Sequence, residues 1–342
     1  MLDSLKREMI ALEVIRTLNS GFLNYPEDFE NNRNAPFHEA FLNAFSLKLD
    51  TLVSSIPVFI SLSSWMHGLN TTLGQSFFEN VAHILSDGEK REFRGSIISS
   101  RQQTTISGII VDLKNGTQEP NIRREETLIF NPVGRKNVPI SNFSADNYTE
   151  DNNSITAIEL KTVKPNSGIA KEEKSKILLA KTAFQNQYPR KEVKYYIGFP
   201  FDPLSETSTG HDKLRFMKYS VDFEKFFDPE EVLLGDELWN LLSGQRNTMQ
   251  QILDIINVIA TPEFMDNYNF INNYENFQTD RDKFTNLLGR WELHRELEFV
   301  GNHDRIAAFI EKEKRMQRVF HQSPFNNDGI YNQNRIEKLL SI

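Results

Sequence analysis

Three observations on the 342-residue chain predict an α/β fold, a central mixed β-sheet flanked by helices. Short β-branched and aromatic runs cluster in its middle third, helical apolar spacing fills both ends, and a strand–helix–strand succession links the last two runs. With 39% hydrophobic and 25% charged residues, the composition is that of a folded water-soluble protein with one large core or two modest ones.

Residues 1–95 are expected to form a helical N-terminal region. Apolar residues recur at helical intervals from Leu5 to Leu18 and from Phe37 to Leu52. Gly74 to Leu85 gives a third helix, with Phe77, Phe78, Val81, Ala82, Ile84 and Leu85 as its apolar face and Asn70, Thr71 or Thr72 to cap it. Residues 96–222 carry the core. Ile106 to Val111, Leu128 to Phe130, Ser154 to Thr162 and Val193 to Phe199 are bounded by Asn, Gly and Pro, and each reads as a strand. Between the last two, Lys171 to Tyr188 places Ile177, Leu178, Ala180 and Phe184 on one helical face, which predicts a right-handed crossover. From 223 to 342 the pattern is helical again, Asn267 to Asn276 reads as a solvated loop, and Trp65, Trp239 and Trp291 fall at core positions.

The composition also excludes whole classes of chemistry. Without cysteine there is no disulfide framework, thiolate zinc site or cysteine nucleophile, which fits a reducing compartment. The N-terminus lacks the apolar core of a secretion signal, and no run approaches the roughly 18 apolar residues that span a bilayer, so a cytoplasmic location is expected. There is no Walker loop, no Gly-x-Gly-x-x-Gly after a strand and no His-Glu-x-x-His. A net charge of −8 argues against indiscriminate coating of nucleic acid, but charge is unevenly spread. Between Lys161 and Lys194 there are nine lysines and arginines against three glutamates.

That basic segment begins at a strand with charges where alternation calls for apolar residues. In Ser154-Ile-Thr-Ala-Ile-Glu-Leu-Lys-Thr162, Glu159 and Lys161 share one face. Upstream, Asp146 to Glu159 reads as a hairpin turning at Asn152-Asn153, a register that sets Asp146 opposite Glu159. Asp151 and Glu150 are rival acids, but they fall in the turn and point away. Two carboxylates so close raise each other's pKa, and Mg²⁺ removes that cost, because it prefers one or two carboxylates completed by water and phosphate oxygens. Lys161 would then orient water or steady developing negative charge, which makes metal-dependent phosphodiester hydrolysis the expected reaction. Of the basic residues, Lys164, Lys171, Lys174 and Lys181 are expected to meet DNA phosphates, with Asn166 and Ser167 beside them.

Asp146 followed by Glu159-Leu160-Lys161 matches the PD-(D/E)XK nuclease motif, although the motif's leading proline is absent from Ser144-Ala145-Asp146. Lys161-Thr-Val-Lys-Pro-Asn-Ser-Gly168 resembles the stretch that follows this motif in type II restriction endonucleases of the TdeIII-like group, which cut GGNCC-type sites. Asn70-Thr-Thr-Leu-Gly-Gln-Ser-Phe-Phe-Glu79 is similar to the segment that brings a further acid, here Glu79, towards the metal. Gly235 to Gly244 resembles the segment after the last core strand. The resemblance implies a restriction-endonuclease-like fold and Mg²⁺-dependent cleavage of double-stranded DNA, with Asp146 and Glu159 as metal ligands. It also implies a cognate methyltransferase acting on the same site. With one motif set per chain, a homodimer is expected on a two-fold symmetric DNA site.

Overall fold

The computed structural model describes residues 1–26, 36–130, 136–162, 167–219 and 223–342. They form two compact units, one of Met1–Leu2 with Phe78–Gln251, the other of Asp3–Phe77 with Ile252–Ile342.

The first unit holds a mixed sheet, as the sequence predicts, and it has five strands. Its strands are β1 (Glu89–Phe93), β4 (Phe143–Glu150), β5 (Ser154–Leu160), β6 (Glu192–Phe199) and β7 (Val232–Leu234), in the spatial order β1-β4-β5-β6-β7. A separate ribbon pairs β2 (Ile97–Ser99) with β3 (Asn137–Pro139). β1, β4 and β5 are antiparallel, whereas β5, β6 and β7 run parallel. The helix Ser167–Gln187 makes the crossover between β5 and β6. The hairpin has the register read from sequence: Asn147 pairs with Ile158 and Glu150 with Ile155. Asp151 explains the tightness of the turn, because its carboxylate accepts from the Asn153 and Ser154 amides, both at 2.7 Å.

Two expected strands are helices. Ile106 to Val111 lies inside Ser100–Asn115, and Leu128 to Phe130 ends Ile122–Ile129. Local signals outweigh β-branching in the first case. Ser99 and Gln102 close a capping box, Gly116 ends the helix at φ 68°, and Ile106, Ile109, Ile110 and Leu113 recur at helical spacing into the core. These helices and Ser167–Gln187 share one apolar core with Phe143, Ala145, Tyr148, Ile155, Ala157, Tyr195 and Ile197 of the sheet.

Residues of β5 and β6 outside that core meet the helix Asp236–Ser243. Gly198 permits the approach: a Cβ there would stand 2.9 Å from Leu238 and 3.0 Å from Ile158. Lys174 and Lys181, expected on a DNA groove, are buried instead. Lys174 Nζ lies 2.6 Å from Glu125 and 2.5 Å from Glu231, and Lys181 pairs with Glu126. They flank Leu178 at positions i, i+4 and i+7, so the apolar stripe carries them inward. Burial pulls the Lys174 ammonium down, but the two carboxylates outweigh it and hold the group charged.

The second unit is helical, as expected of both ends of the chain. It includes Ser4–Leu23, capped by Asp3, and Ile56–Thr72, capped by Ser55. Its C-terminal part packs on stacked aromatics, Phe264 against Trp291 and Tyr274 against Phe277. The Asn-rich segment is not a solvated loop. Phe264–Asn272 is a helix, and Tyr268, Ile271, Tyr274 and Phe277 are buried, so the aromatics between the asparagines decide its fate. Trp239 and Trp291 are core residues, and the Trp65 indole donates to the Gly21 carbonyl.

Two stability predictions follow. Gly198→Val should cost about 1–3 kcal/mol by overpacking, read as a lowered urea midpoint. Lys174→Ala strands Glu125 and Glu231 without their cation and should cost about 3–5 kcal/mol. An unchanged midpoint for Lys174→Ala would return that residue to the surface.

Candidate active site

The end of β5 is where the sequence concentrates its charges, and the fold gathers more there. Asp146 sits where β4 slips in register against β1, between the pairs Tyr148–Glu89 and Ala145–Arg91. Such an irregularity re-aims a side chain. The regular pairing with β5 extends to Asn147–Ile158, and at the next position the Asp146 carboxylate takes over: Oδ2 accepts from the Leu160 amide at 2.9 Å. This bond places Asp146 beside Glu159, as the hairpin register anticipated. The His83 ring, with Nε2 2.7 Å from the Asp146 carbonyl, fixes the other side of the same residue.

Glu159 is 6% exposed and Asp146 9%. Burial first, and the Asp146 charge second, hold the Glu159 carboxyl above its ordinary pKa, opposed by Lys176 and Lys161. Lys161 follows directly after β5, its amide donating to the Gly198 carbonyl at 2.9 Å. Its ammonium lies 2.8 Å from Glu159 Oε1 and 2.8 Å from Glu173 Oε1. Burial pulls Lys161 down, but Glu159 and then Glu173 more than offset it. The group is therefore a cation at neutral pH, suited to donate hydrogen bonds and to steady negative charge rather than to take a proton.

Glu79 lies in the first turn of the helix Phe78–Ser86. Lys90 of β1 joins it to the pair of acids: its Nζ is 3.0 Å from Glu79 Oε2 and 3.5 Å from Asp146 Oδ1. The rival acids are engaged elsewhere. Glu150 binds Lys191 and Tyr148, and Asp151 caps the turn. Lys171 is exposed at the start of the crossover helix. Lys164 and Asn166 lie outside the described residues, as does the side chain of Ser167.

Three residues of this centre escaped the sequence reading: Lys90, Glu173 and Lys176. Lys176 Nζ lies 2.6 Å from Glu159 Oε2 and 3.3 Å from Glu173 Oε2. The signal was present in part. Glu173 and Lys176 are three apart and so share a stripe of the crossover helix, distinct from that of Lys174 and Lys181. Which stripe meets the end of β5 depends on how the helix packs. Lys90 carried no local signal, since β1 pairs with β4 across a long gap in sequence.

Among the described residues no three or more His, Cys, Asp or Glu side chains gather as a cation site. The donor set nevertheless suits Mg²⁺. Two neighbouring carboxylates are offered, and among the described residues Glu159 Oε2 is buried without an aligned hydrogen-bond donor, paired by charge with Lys176. Mg²⁺ takes few protein ligands and completes its shell with water and phosphate oxygens.

The type II restriction enzyme MjaII of Methanocaldococcus jannaschii is 40% identical over 355 residues, spanning 98% of this chain and 96% of that protein. The family described as "Type II restriction endonuclease, HinfI" matches residues 5–260. The TdeIII-like group finds no support in these matches; the chain belongs to the HinfI family of type II restriction endonucleases.

Proposed function

We propose that the chain is a Mg²⁺-dependent endonuclease that cuts both strands of DNA at a short specific site. The observation that carries this reading is the convergence of Asp146 and Glu159, brought together by the bond from the Leu160 amide to Asp146, with the Lys161 cation against Glu159. Family membership supports site-specific DNA cleavage, and the metal is the finer step. A GGNCC-type site is proposed with it, on the resemblance of the stretch through Gly168.

Asp146 and Glu159 would hold the metal, which supplies Lewis-acid stabilisation of phosphoryl charge and lowers the pKa of bound water. The protein's own residues do the rest. Glu159 and Asp146 present negative charge in a poorly solvated corner, where electrostatic interactions are stronger than in water. Lys161 keeps its proton and stays within 2.8 Å of Glu159, so it is placed to orient the attacking water and to steady the developing phosphorane charge. Glu79, through Lys90, is proposed as an outlying acid that positions the cation beside Asp146. Lys171, at the exposed start of the crossover helix, is proposed to contact DNA phosphate, together with Lys164, Asn166 and Ser167. Two copies around the two-fold axis of the site would cut one strand each, in the cytoplasm and alongside a methyltransferase that marks the same sequence.

Plasmid incubated with purified protein and Mg²⁺ should yield discrete linear fragments, and chelation with EDTA should stop cleavage. Glu159→Gln should slow cutting by roughly a thousandfold or more while the protein still unfolds in one cooperative transition, because Gln keeps the shape and hydrogen-bonding capacity of the side chain. Retained activity would remove Glu159 from the centre, while nicks or random smears would set aside site-specific double-strand cleavage. The dimer is tested by dilution: the rate of double-strand cleavage per chain should fall as protomers dissociate, and a constant rate in a dilute monomeric solution would overturn it.

A further inference from the structure

Four side chains at the end of β5 close a ring of alternating charge. Glu159 Oε1 lies 2.8 Å from Lys161, which lies 2.8 Å from Glu173 Oε1. Glu173 Oε2 lies 3.3 Å from Lys176, which lies 2.6 Å from Glu159 Oε2. Each carboxylate thus spends one oxygen on each lysine.

We propose that Lys176 is a displaceable counter-ion of Glu159, standing where a divalent cation will bind, and that Glu173 is the acceptor to which its ammonium retreats. The proposal rests on the metal reading given above and extends it to two residues of the crossover helix.

The two lysines are not equivalent. Lys161 makes hydrogen bonds to both of its partners. Lys176 approaches Glu159 Oε2 closely, but that oxygen is buried and has no aligned hydrogen-bond donor among the described residues. Glu173 Oε2 is in the same condition. Lys176 therefore supplies charge without a directional bond, as a stand-in cation would. Its side chain is 25% exposed, and its second acceptor is already within ion-pair distance. The ammonium can shift between two carboxylates without ever lying unpaired, which spares the cost of an uncompensated buried charge. Lys161 meanwhile remains tied to Glu173, so the exchange leaves it in place.

This makes cation binding an exchange reaction. Lys176 lowers the affinity of the free protein for a divalent ion and keeps Glu159 compensated until one arrives. Glu173 and Lys176 are then positioning residues, acting through Glu159 and Lys161.

Mn²⁺ titrated into the full chain without DNA, with free ion followed by electron paramagnetic resonance, reads this directly. Lys176→Met should bind roughly fivefold tighter than the parent, the effect of removing one partly screened ion pair. The gain should vanish in a Glu159→Gln background. It should grow in a Glu173→Gln background, where the ammonium has no second acceptor. Lys176→Gln serves as the second variant if Lys176→Met does not fold. Unchanged or weaker binding by both Lys176 variants overturns the proposal, as does an equal gain in the Glu159→Gln background, which would mean long-range repulsion. A gain that does not grow with Glu173→Gln removes Glu173 as acceptor. If the parent and Glu159→Gln bind Mn²⁺ equally, the metal reading itself fails. If those two differ while the Lys176 variants match the parent, only the counter-ion role fails.

Discussion

The hydrogen bond from the Leu160 amide to the Asp146 carboxylate, at 2.9 Å, is the constraint around which the centre is arranged. The β4–β5 ladder is regular as far as Asn147 and Ile158, and then a side chain rather than a backbone carbonyl takes the next amide. The substitution satisfies a buried N–H and forces the Asp146 carboxylate to lie next to Glu159. Three lysines compensate the resulting concentration of negative charge: Lys90 on the Asp146 side, Lys161 and Lys176 on the Glu159 side.

One helix supplies two kinds of buried charge. On its core-facing stripe, Lys174 is closed between Glu125 and Glu231 with no exposure, an arrangement that ties three elements together and has no room to change. On the neighbouring stripe, Glu173 and Lys176 meet the end of β5 in partial contact with water, where partners can be traded. The difference is burial. Fully desolvated pairs are fixed because either partner alone is costly, whereas pairs with one partly exposed partner exchange at smaller cost.

Much of this was legible in the chain itself. The hairpin register came from the Asn152-Asn153 turn and the alternation of β5, because a two-residue turn leaves a strand pair one register. The charged pair Glu159 and Lys161 stood out because period-2 patterning makes a charge in a buried strand conspicuous. Local reading failed where β-branched residues sit at helical spacing, as in Ser100–Asn115, since there the cap at Ser99 and Gly116 decides, not the composition of the run. It failed again at the Asn-rich segment, where buried aromatics outweigh the polar residues between them.

The sequence by itself determined the hairpin, the carboxylate pair at its base and the class of fold, because each depends on residues close together in the chain. Only the tertiary structure decided which lysines serve the centre. Lys174 and Lys181 were drawn inward with Leu178, while Lys176, two residues from Lys174, came to rest against Glu159. A helix rotates its side chains by about 100° per residue, so neighbours in sequence belong to different environments, and the packing of that helix on the sheet assigns them.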